Sequence, residues 1–311
     1  MKRLVSTVGL PKEDWLRYRK RGLTGTDAGA ITGMNPYVSA FQIYQDKTSD
    51  EIEDKDNESM RQGRDLEEYV ARRFSEETGK RVRHANAIYQ SEENAFMLAD
   101  FDRLIVGEKA GLECKTVNAY SADKWKNGEI PLHYQMQVQH YLAVSGYDSW
   151  YIAALIFGKE FLVHKIDRDE ELIRNLVIIE KRFWEKNVLK RVVPQPDGSS
   201  DYSDMLGKMY AGDKEQTIQL FGVHEELRRR DEIEELLEKL NKEKTMIEQD
   251  IKAQMKDAVY AESGDYFISW MPSTQQRIDT KRLKEEEPDV YTKYLKDISS
   301  RRFQIKYKPA A

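Results

Sequence analysis

Ala99-Asp100-Phe101-Asp102-Arg103-Leu104-Ile105-Val106-Gly107-Glu108-Lys109-Ala110-Gly111-Leu112-Glu113-Cys114-Lys115-Thr116 is the stretch on which the reading of this chain turns. Two short apolar runs flank Gly107-Glu-Lys-Ala-Gly111, the pattern of two strands joined by a tight loop. A four-residue loop at 107–110 pairs Val106 with Gly111. Counting back, Asp102 then lies opposite Lys115 and Leu104 opposite Glu113. Side chains alternate faces along a strand and directly paired residues share one, so Asp102, Glu113 and Lys115 project from the same side. A slip of one residue would send one strand's set to the other face. Two carboxylates and an ammonium on one face suit a Mg²⁺ centre, because Mg²⁺ takes oxygen ligands and usually only one or two protein carboxylates. Such an ion lowers the pKa of bound water, and a lysine with a depressed pKa can orient or deprotonate that water. The same pattern also describes an ordinary surface hairpin with a cross-strand salt bridge.

Upstream, Ser59 to Thr78 reads as a helix closed by Gly79. With Leu66 at zero and about 100° per residue, Val70, Phe74, Glu67 and Ala71 fall at about 40°, 80°, 100° and 140°. Glu67 therefore sits within the apolar face, while Glu68 points away near about 200°. A carboxylate on a core-facing stripe needs a metal or a cation, unless it is a glutamate at the helix edge. Downstream, Pro131 to Val144 reads as a helix with Gly146 just past its end. It carries Gln135-Met-Gln137-Val-Gln139. Gln135 and Gln139 fall near Leu132, Met136 and Ala143, and Gln137 near Tyr134 and Tyr141. Glutamine amides can donate to a phosphate or a metal-bound water, or simply face solvent.

The remaining pattern places these elements in an α+β order. Pro11 begins a first helix, at a position proline tolerates. Trp150 to Phe157 is a continuous apolar run, as in a strand buried on both faces. Phe161 to Ile166 is its partner strand, and Asp169 to Leu189 another helix. Val193-Pro-Gln-Pro-Asp-Gly-Ser-Ser breaks the pattern, so a core is expected over 1–200 and an extension over 201–311. The extension contains a long helix over 222–259 with Ile233, Leu237, Leu240, Ile247, Ile251 and Met255 at three- and four-residue steps, interrupted at Lys244. That stripe needs a partner surface. A strand near Tyr266 and a capped helix over 277–291 follow.

The chain has 311 residues, of which 34% are charged and 40% hydrophobic, and a net charge of −5. No apolar run reaches the ~18 residues of a membrane span, and the first residues lack a signal-peptide core. A single cysteine, Cys114, excludes an intrachain disulfide framework and a Cys-rich zinc site. A reduced, cytoplasmic protein is expected. The negative charge argues against a DNA-coating protein, and leaves room for an enzyme with a local basic channel. Basic residues gather at Arg17-Tyr-Arg19-Lys20-Arg21 and at Arg301-Arg302 to Lys308, and acidic ones at Ser49 to Glu58.

Trp15-Leu-Arg-Tyr-Arg19, Gly25-Thr26-Asp27-Ala-Gly-Ala-Ile-Thr-Gly-Met-Asn-Pro-Tyr37, Gly63-Arg-Asp-Leu-Glu67, the Asp102 and Glu113-Cys-Lys115 hairpin and Gln137-Val-Gln139-His-Tyr-Leu stand in this order. Over about residues 14 to 190 the chain thus resembles the lambda exonuclease family, most closely its YqaJ-like viral recombinase branch. The resemblance implies a restriction-endonuclease-like core, with a small mixed β-sheet flanked by helices and a mainly helical C-terminal extension. It implies a two-metal deoxyribonuclease that uses Mg²⁺, with Mn²⁺ as a substitute. Asp102, Glu113, the Cys114 backbone carbonyl and Glu67 become metal ligands, and Lys115 activates the water. Arg19 and Thr26 hold the 5′-phosphate of the DNA end, Arg19 competing with Arg17 and Arg21 for that role, while Gln137 and Gln139 face the DNA. The implied reaction removes 5′-mononucleotides from linear double-stranded DNA and leaves 3′ overhangs, and a structure-specific endonuclease or a non-enzymatic end-binding adaptor are the alternatives. The implied assembly is a homotrimer that hands its product to a single-strand annealing protein in the cytoplasm of a bacterial host, with a phage or prophage origin. Two positions depart from the pattern. Arg103 stands where many relatives have Gly, and Asp100 where they have a hydroxyl, so Asp100 becomes an extra metal ligand or weakens phosphate binding.

Overall fold

The computed structural model describes residues 1–52, 56–210, 212, 217–296 and 302–306. Arg301, Tyr307 and Lys308 of the basic tail, and 53–55 of the acidic stretch, lie outside the described residues. Two compact units divide the chain, Met1–Tyr210 and Ala211–Ala311. The first contains β1 (Lys2–Ser6), α1 (Lys12–Arg19), α2 (Gly25–Ile31), α3 (Ala40–Thr48), α4 (Glu58–Thr78), β2 (Val82–His84), β3 (Ala87–Gln90) and β4 (Leu98–Asp100). It continues with β5 (Arg103–Ile105), β6 (Ala110–Val117), α5 (Leu132–Ser145), β7 (Ser149–Ile156), β8 (Glu160–Asp167), α6 (Glu170–Arg182) and α7 (Ser200–Met209).

The apolar run at 150 forms β7, inside a five-stranded sheet of order β2-β5-β6-β7-β8. β6 and β7 run parallel and the other neighbours antiparallel, so the sheet is mixed. On one face, Val70, Ala71 and Phe74 of α4 pack against Ile105, Leu112 and Ala153. On the other, Val138, Tyr141, Leu142 and Val144 of α5 pack against Trp150, Ile152, Ala154 and Ile156. Burial of each large apolar side chain stabilises this layer by about 1.5–3 kcal/mol. Gly111 is required here, because a Cβ on it would lie 2.1 Å from the Trp150 ring. Asn57 caps the N-terminus of α4 by accepting from the Met60 amide, and Gly79 at φ 71° ends it. Helices on both sides of a small mixed sheet give the expected α+β class.

The stretch 99–116 differs from a single hairpin. β4 belongs to a second sheet of order β1-β3-β4, and β5 to the five-stranded one. The chain changes sheets at Phe101-Asp102, so Asp102 sits just ahead of the β5–β6 ladder. That ladder pairs Leu104 with Gly111 and Arg103 with Leu112, two residues off the expected register. The reason is the loop, which occupies 106–109 rather than 107–110. A slip of two leaves every side chain on its expected face, since faces alternate with period two.

The helix expected over 169–189 is α6, capped by Asp169, followed by a π-helical turn at Phe183–Leu189. The first unit extends past 200 because Tyr202 and Met205 of α7 pack against Phe41. The second unit holds α8 (His224–Met255), the antiparallel strands β9 (Tyr260–Ser263) and β10 (Tyr266–Ser269), α9 (Thr280–Glu286) and α10 (Pro288–Lys293). The stripe on α8 is exposed at Ile233, Leu237, Leu240 and Ile247. The single helix expected over 277–291 is two short ones, because Pro288 cannot continue α9 and instead opens α10. Among the described residues no helix is long and apolar enough to cross a membrane.

Candidate active site

The site forms where β6 runs beyond the end of β5. Cys114 has no β5 partner, and its amide donates instead to Oδ2 of Asp102 at 2.7 Å. In an extended strand the N–H and C=O of one residue face the same edge, so the Cys114 carbonyl faces the edge that Asp102 occupies. Glu113 and Lys115 flank Cys114 on the face toward α5. Lys115 Nζ donates to Glu113 Oε1 at 2.7 Å and to Gln137 Oε1 at 3.1 Å, and lies 4.6 Å from the Tyr134 ring centroid. Gln137 Nε2 donates to Glu113 Oε1 and to the Tyr141 hydroxyl, at 2.7 and 2.8 Å. Glu113 Oε2 is buried without a hydrogen-bond partner. Buried polar atoms are nearly always satisfied, so an orphaned carboxylate oxygen marks a place for a ligand.

Burial and the Glu113 and Glu67 carboxylates push the Asp102 pKa well above the usual carboxylate value. Lys115 alone does not balance these acids, which fits a divalent cation held by Asp102, Glu113 and the Cys114 carbonyl. Lys115 behaves differently from the sequence expectation of a depressed pKa. Burial opposes its charge, yet Glu113, Tyr134 and Asp102 outweigh burial and raise the pKa. Glu67 is also placed differently. Its side chain is 33% exposed at the helix margin and is ion-paired with Arg103 Nη1, so it does not join the other two carboxylates. Glu68, expected to point away, accepts from Arg103 Nη2 at 2.9 Å. Among the described residues no three His, Cys, Asp or Glu side chains gather into a metal-holding group.

Next to this centre lies a second cluster. Arg19 Nη1 donates to Asp100 Oδ2 at 2.6 Å, and Nη2 to the hydroxyls of Thr24 and Thr26 at 3.1 and 3.0 Å. The three candidate arginines separate here: Arg17 is exposed and paired with Glu13, Arg21 is exposed over Tyr18, and Arg19 is largely enclosed. Asp100 faces Arg19 and not the Asp102 centre. Glycine brings this cluster to the site, since a Cβ on Gly25 would lie 2.4 Å from the Tyr141 ring. Below Arg19, a buried pair joins Asp27 Oδ2 to Lys47 Nζ at 2.9 Å, and Lys47 also donates to the Arg19 carbonyl. Gln139 does not reach the site. Its Nε2 donates to the Asp167 carbonyl at 2.9 Å, and its Oε1 accepts from the Asp169 amide at 3.2 Å. Two residues along an α-helix turn a side chain by about 200°, which separates Gln139 from Gln137.

Sequence reasoning missed Lys47, Tyr141 and the fully buried pair His140–Glu180, which joins α5 to α6 at 2.8 Å. For Asp27 a signal existed. Thr24 and Asp27 are three apart ahead of an Ala-rich helix, the spacing of a capping box, and the structure forms it.

The fold is similar to that of a solved exonuclease. The crystal structure of the alkaline exonuclease LHK-Exo from Laribacter hongkongensis superposes with a TM-score of 0.50 at 21% identity, over 58% of this chain and 97% of that one. The same exonuclease in complex with dAMP gives a TM-score of 0.49 at 19% identity, over 56% and 92%. Residues 14–148 match the family described as YqaJ-like viral recombinase domain. The protein YqaJ of Bacillus subtilis (strain 168) is 40% identical over 308 residues, 97% of each chain. The chain belongs to this YqaJ-like viral recombinase family.

Proposed function

We propose that the chain is a Mg²⁺-dependent exonuclease that degrades linear double-stranded DNA from 5′ to 3′, releasing 5′-mononucleotides and leaving 3′ overhangs. The observation that carries this reading is Glu113, whose Oε2 is buried and unpartnered beside Asp102 and Lys115. Mg²⁺, or Mn²⁺ in its place, would be held by Asp102, Glu113 and the Cys114 carbonyl, and supplies a water of lowered pKa and charge for the phosphoryl oxygen. Lys115, fixed by Glu113, Gln137 and the Tyr134 ring, orients the attacking water as a donor. Arg19, Thr24 and Thr26 form the seat of the 5′-phosphate, with the phosphate taking the place of Asp100 on the guanidinium. The fold shared with an alkaline exonuclease and membership of a recombinase family support this reading.

The first unit is the catalytic core, expected over 1–200, and 201–311 an extension for subunit or partner contacts. The assembly is a homotrimer, and the partner a single-strand annealing protein in a bacterial cytoplasm, with the gene of phage or prophage origin. A time course on linear and closed circular duplex, each end labelled, with and without 5′-phosphate and Mg²⁺, tests the activity. Loss of label first from phosphorylated 5′ ends of linear DNA is expected. Cutting of closed circles would replace this reading with a structure-specific endonuclease. Binding without cleavage in either Mg²⁺ or Mn²⁺ would replace it with an end-binding adaptor.

A further inference from the structure

The acids of the site divide into two sets that are treated differently. Glu113 keeps a buried oxygen without a partner, and Asp102 is bound through one oxygen by the Cys114 amide. Glu67 and Glu68, one turn edge of α4, both bind Arg103, whose side chain is only 3% exposed. Arg103 Nη1 also donates to the Asp102 carbonyl at 2.8 Å, so the guanidinium bridges α4 to the residue that begins the centre.

We propose that Arg103 is a resident cation standing where a second metal ion would bind, so that the centre takes one divalent ion, at Asp102 and Glu113. This rests on the metal-nuclease reading above. A second ion needs Glu67, and Glu67 is already neutralised. An arginine keeps its charge at every working pH and cannot withdraw by deprotonation. An ion entering at Glu67 would take from the buried guanidinium the less exposed of its two carboxylates, and breaking a buried pair is unfavourable. Glu68 adds a second acid to the same fork, so loss of one hydrogen bond would not release it. The dispersal of the acids agrees: among the described residues no three ligand side chains converge, because Arg103 holds Glu67 at the helix margin. Arg103 thus supplies fixed positive charge on the Glu67 side of the phosphate, while it can neither lower the pKa of a water nor carry a proton.

Mn²⁺ titration of the full-length protein without DNA, followed by electron paramagnetic resonance, tests this apart from activity. The wild type is expected to bind one Mn²⁺ per chain with the spectrum of an isolated ion. Asp102→Asn should weaken that binding by about 100-fold or more, beyond what loss of an outer-shell group costs. Arg103→Gly should take up a second ion and show magnetic coupling, since paired ions lie about 3.5–4 Å apart. Arg103→Lys, which keeps the charge, should bind one. Two coupled ions in the wild type would overturn the role of Arg103 and leave the metal reading standing, whereas no bound ion would overturn the metal reading itself. If Arg103→Gly does not fold, Glu67→Gln decides: one ion bound as in the wild type supports the proposal, and loss of an ion from a wild-type pair refutes it.

Discussion

Arg19 and Arg103 stand at either end of the segment Asp100–Arg103, and both are held by acids, but on different terms. Arg19 contacts one carboxylate and two neutral hydroxyls, and its side chain is 19% exposed. Arg103 contacts two carboxylates and a carbonyl at 3% exposure. An incoming dianionic phosphate has to replace a single carboxylate at Arg19 and can keep both hydroxyls. At Arg103 it would have to displace two acids and desolvate further. On the proposed reading the two guanidiniums divide the work: Arg19 would be an exchangeable seat for an anion and Arg103 a fixed charge. On that reading a chain with a net charge of −5 would hold DNA through a few enclosed cations and not through its overall balance.

The largest effect is expected where neither arginine acts. Lys115→Ala removes the donor between Glu113 and Gln137, and turnover on linear duplex should fall by about 10³-fold, within the range for loss of a general acid or base. DNA binding, measured by anisotropy, should persist because Arg19 is untouched. Full turnover in the variant would show that the arginines, and not the lysine, organise the chemistry.

Next comes another enclosed cation, His140, which is titratable where the arginines are not. Its Nδ1 faces Glu180 at 2.8 Å and its Nε2 the Leu98 carbonyl at 2.8 Å, so both nitrogens meet acceptors and the imidazolium satisfies both. Burial opposes this charge, but Glu180, the Leu98 carbonyl and the more distant Asp27 outweigh it and raise the pKa. The pair's stabilisation is thus complete below the ordinary histidine value of about 6.5, and is lost as pH rises through the raised folded value. His140→Gln should cost about 3–5 kcal/mol of unfolding free energy at neutral pH, as for a broken buried pair. Denaturant melts of both proteins across pH should show the gap narrowing in alkali. A gap independent of pH would mean that His140 is a neutral spacer.

The seat at Arg19 should give a smaller change. Arg19→Ala should reduce the preference for 5′-phosphorylated over 5′-hydroxyl ends by about 10- to 100-fold, the worth of hydrogen bonds to a charged group. Asp100→Asn should move the preference the other way by freeing the guanidinium. If neither variant alters the preference, Arg19 is as fixed as Arg103 and the contrast between them fails.

Much of this was legible in the sequence, because alternation along strands is robust to a slip of two. Asp102, Glu113 and Lys115 were placed together although the pairing was off, and Asp102 proved to lie at a change of sheet that no periodicity records. Helix ends were legible at Gly79 and Asp169, whereas the start of α4 was read at Ser59 and its cap Asn57 was not seen. Glu67 illustrates the limit. The helical wheel placed it within the apolar face, but a wheel cannot see Arg103 arriving from β5 to claim it at the helix margin. The depressed pKa expected of Lys115 failed for the same reason, since the sign depends on which charges the fold brings near.

The smallest effect separates two glutamines of one motif. Gln137 touches Lys115, Glu113 and Tyr141, whereas Gln139 ties the end of β8 to the start of α6 through Asp167 and Asp169. Gln139→Ala strands one carbonyl and one amide, and should lower stability by about 1–2 kcal/mol. The end preference set by Arg19 should not move, because the side chain lies on the other side of α5 from the site. Gln137→Ala should instead lower turnover by about tenfold, a loss of roughly 1.4 kcal/mol in holding Lys115 and Glu113. Phosphorylated and hydroxyl ends compared in the two variants would reveal any reach of Gln139 to the DNA: a shift in preference with Gln139→Ala would place it beside Arg19, and an unchanged ratio with a lower melting midpoint leaves it as the brace between β8 and α6.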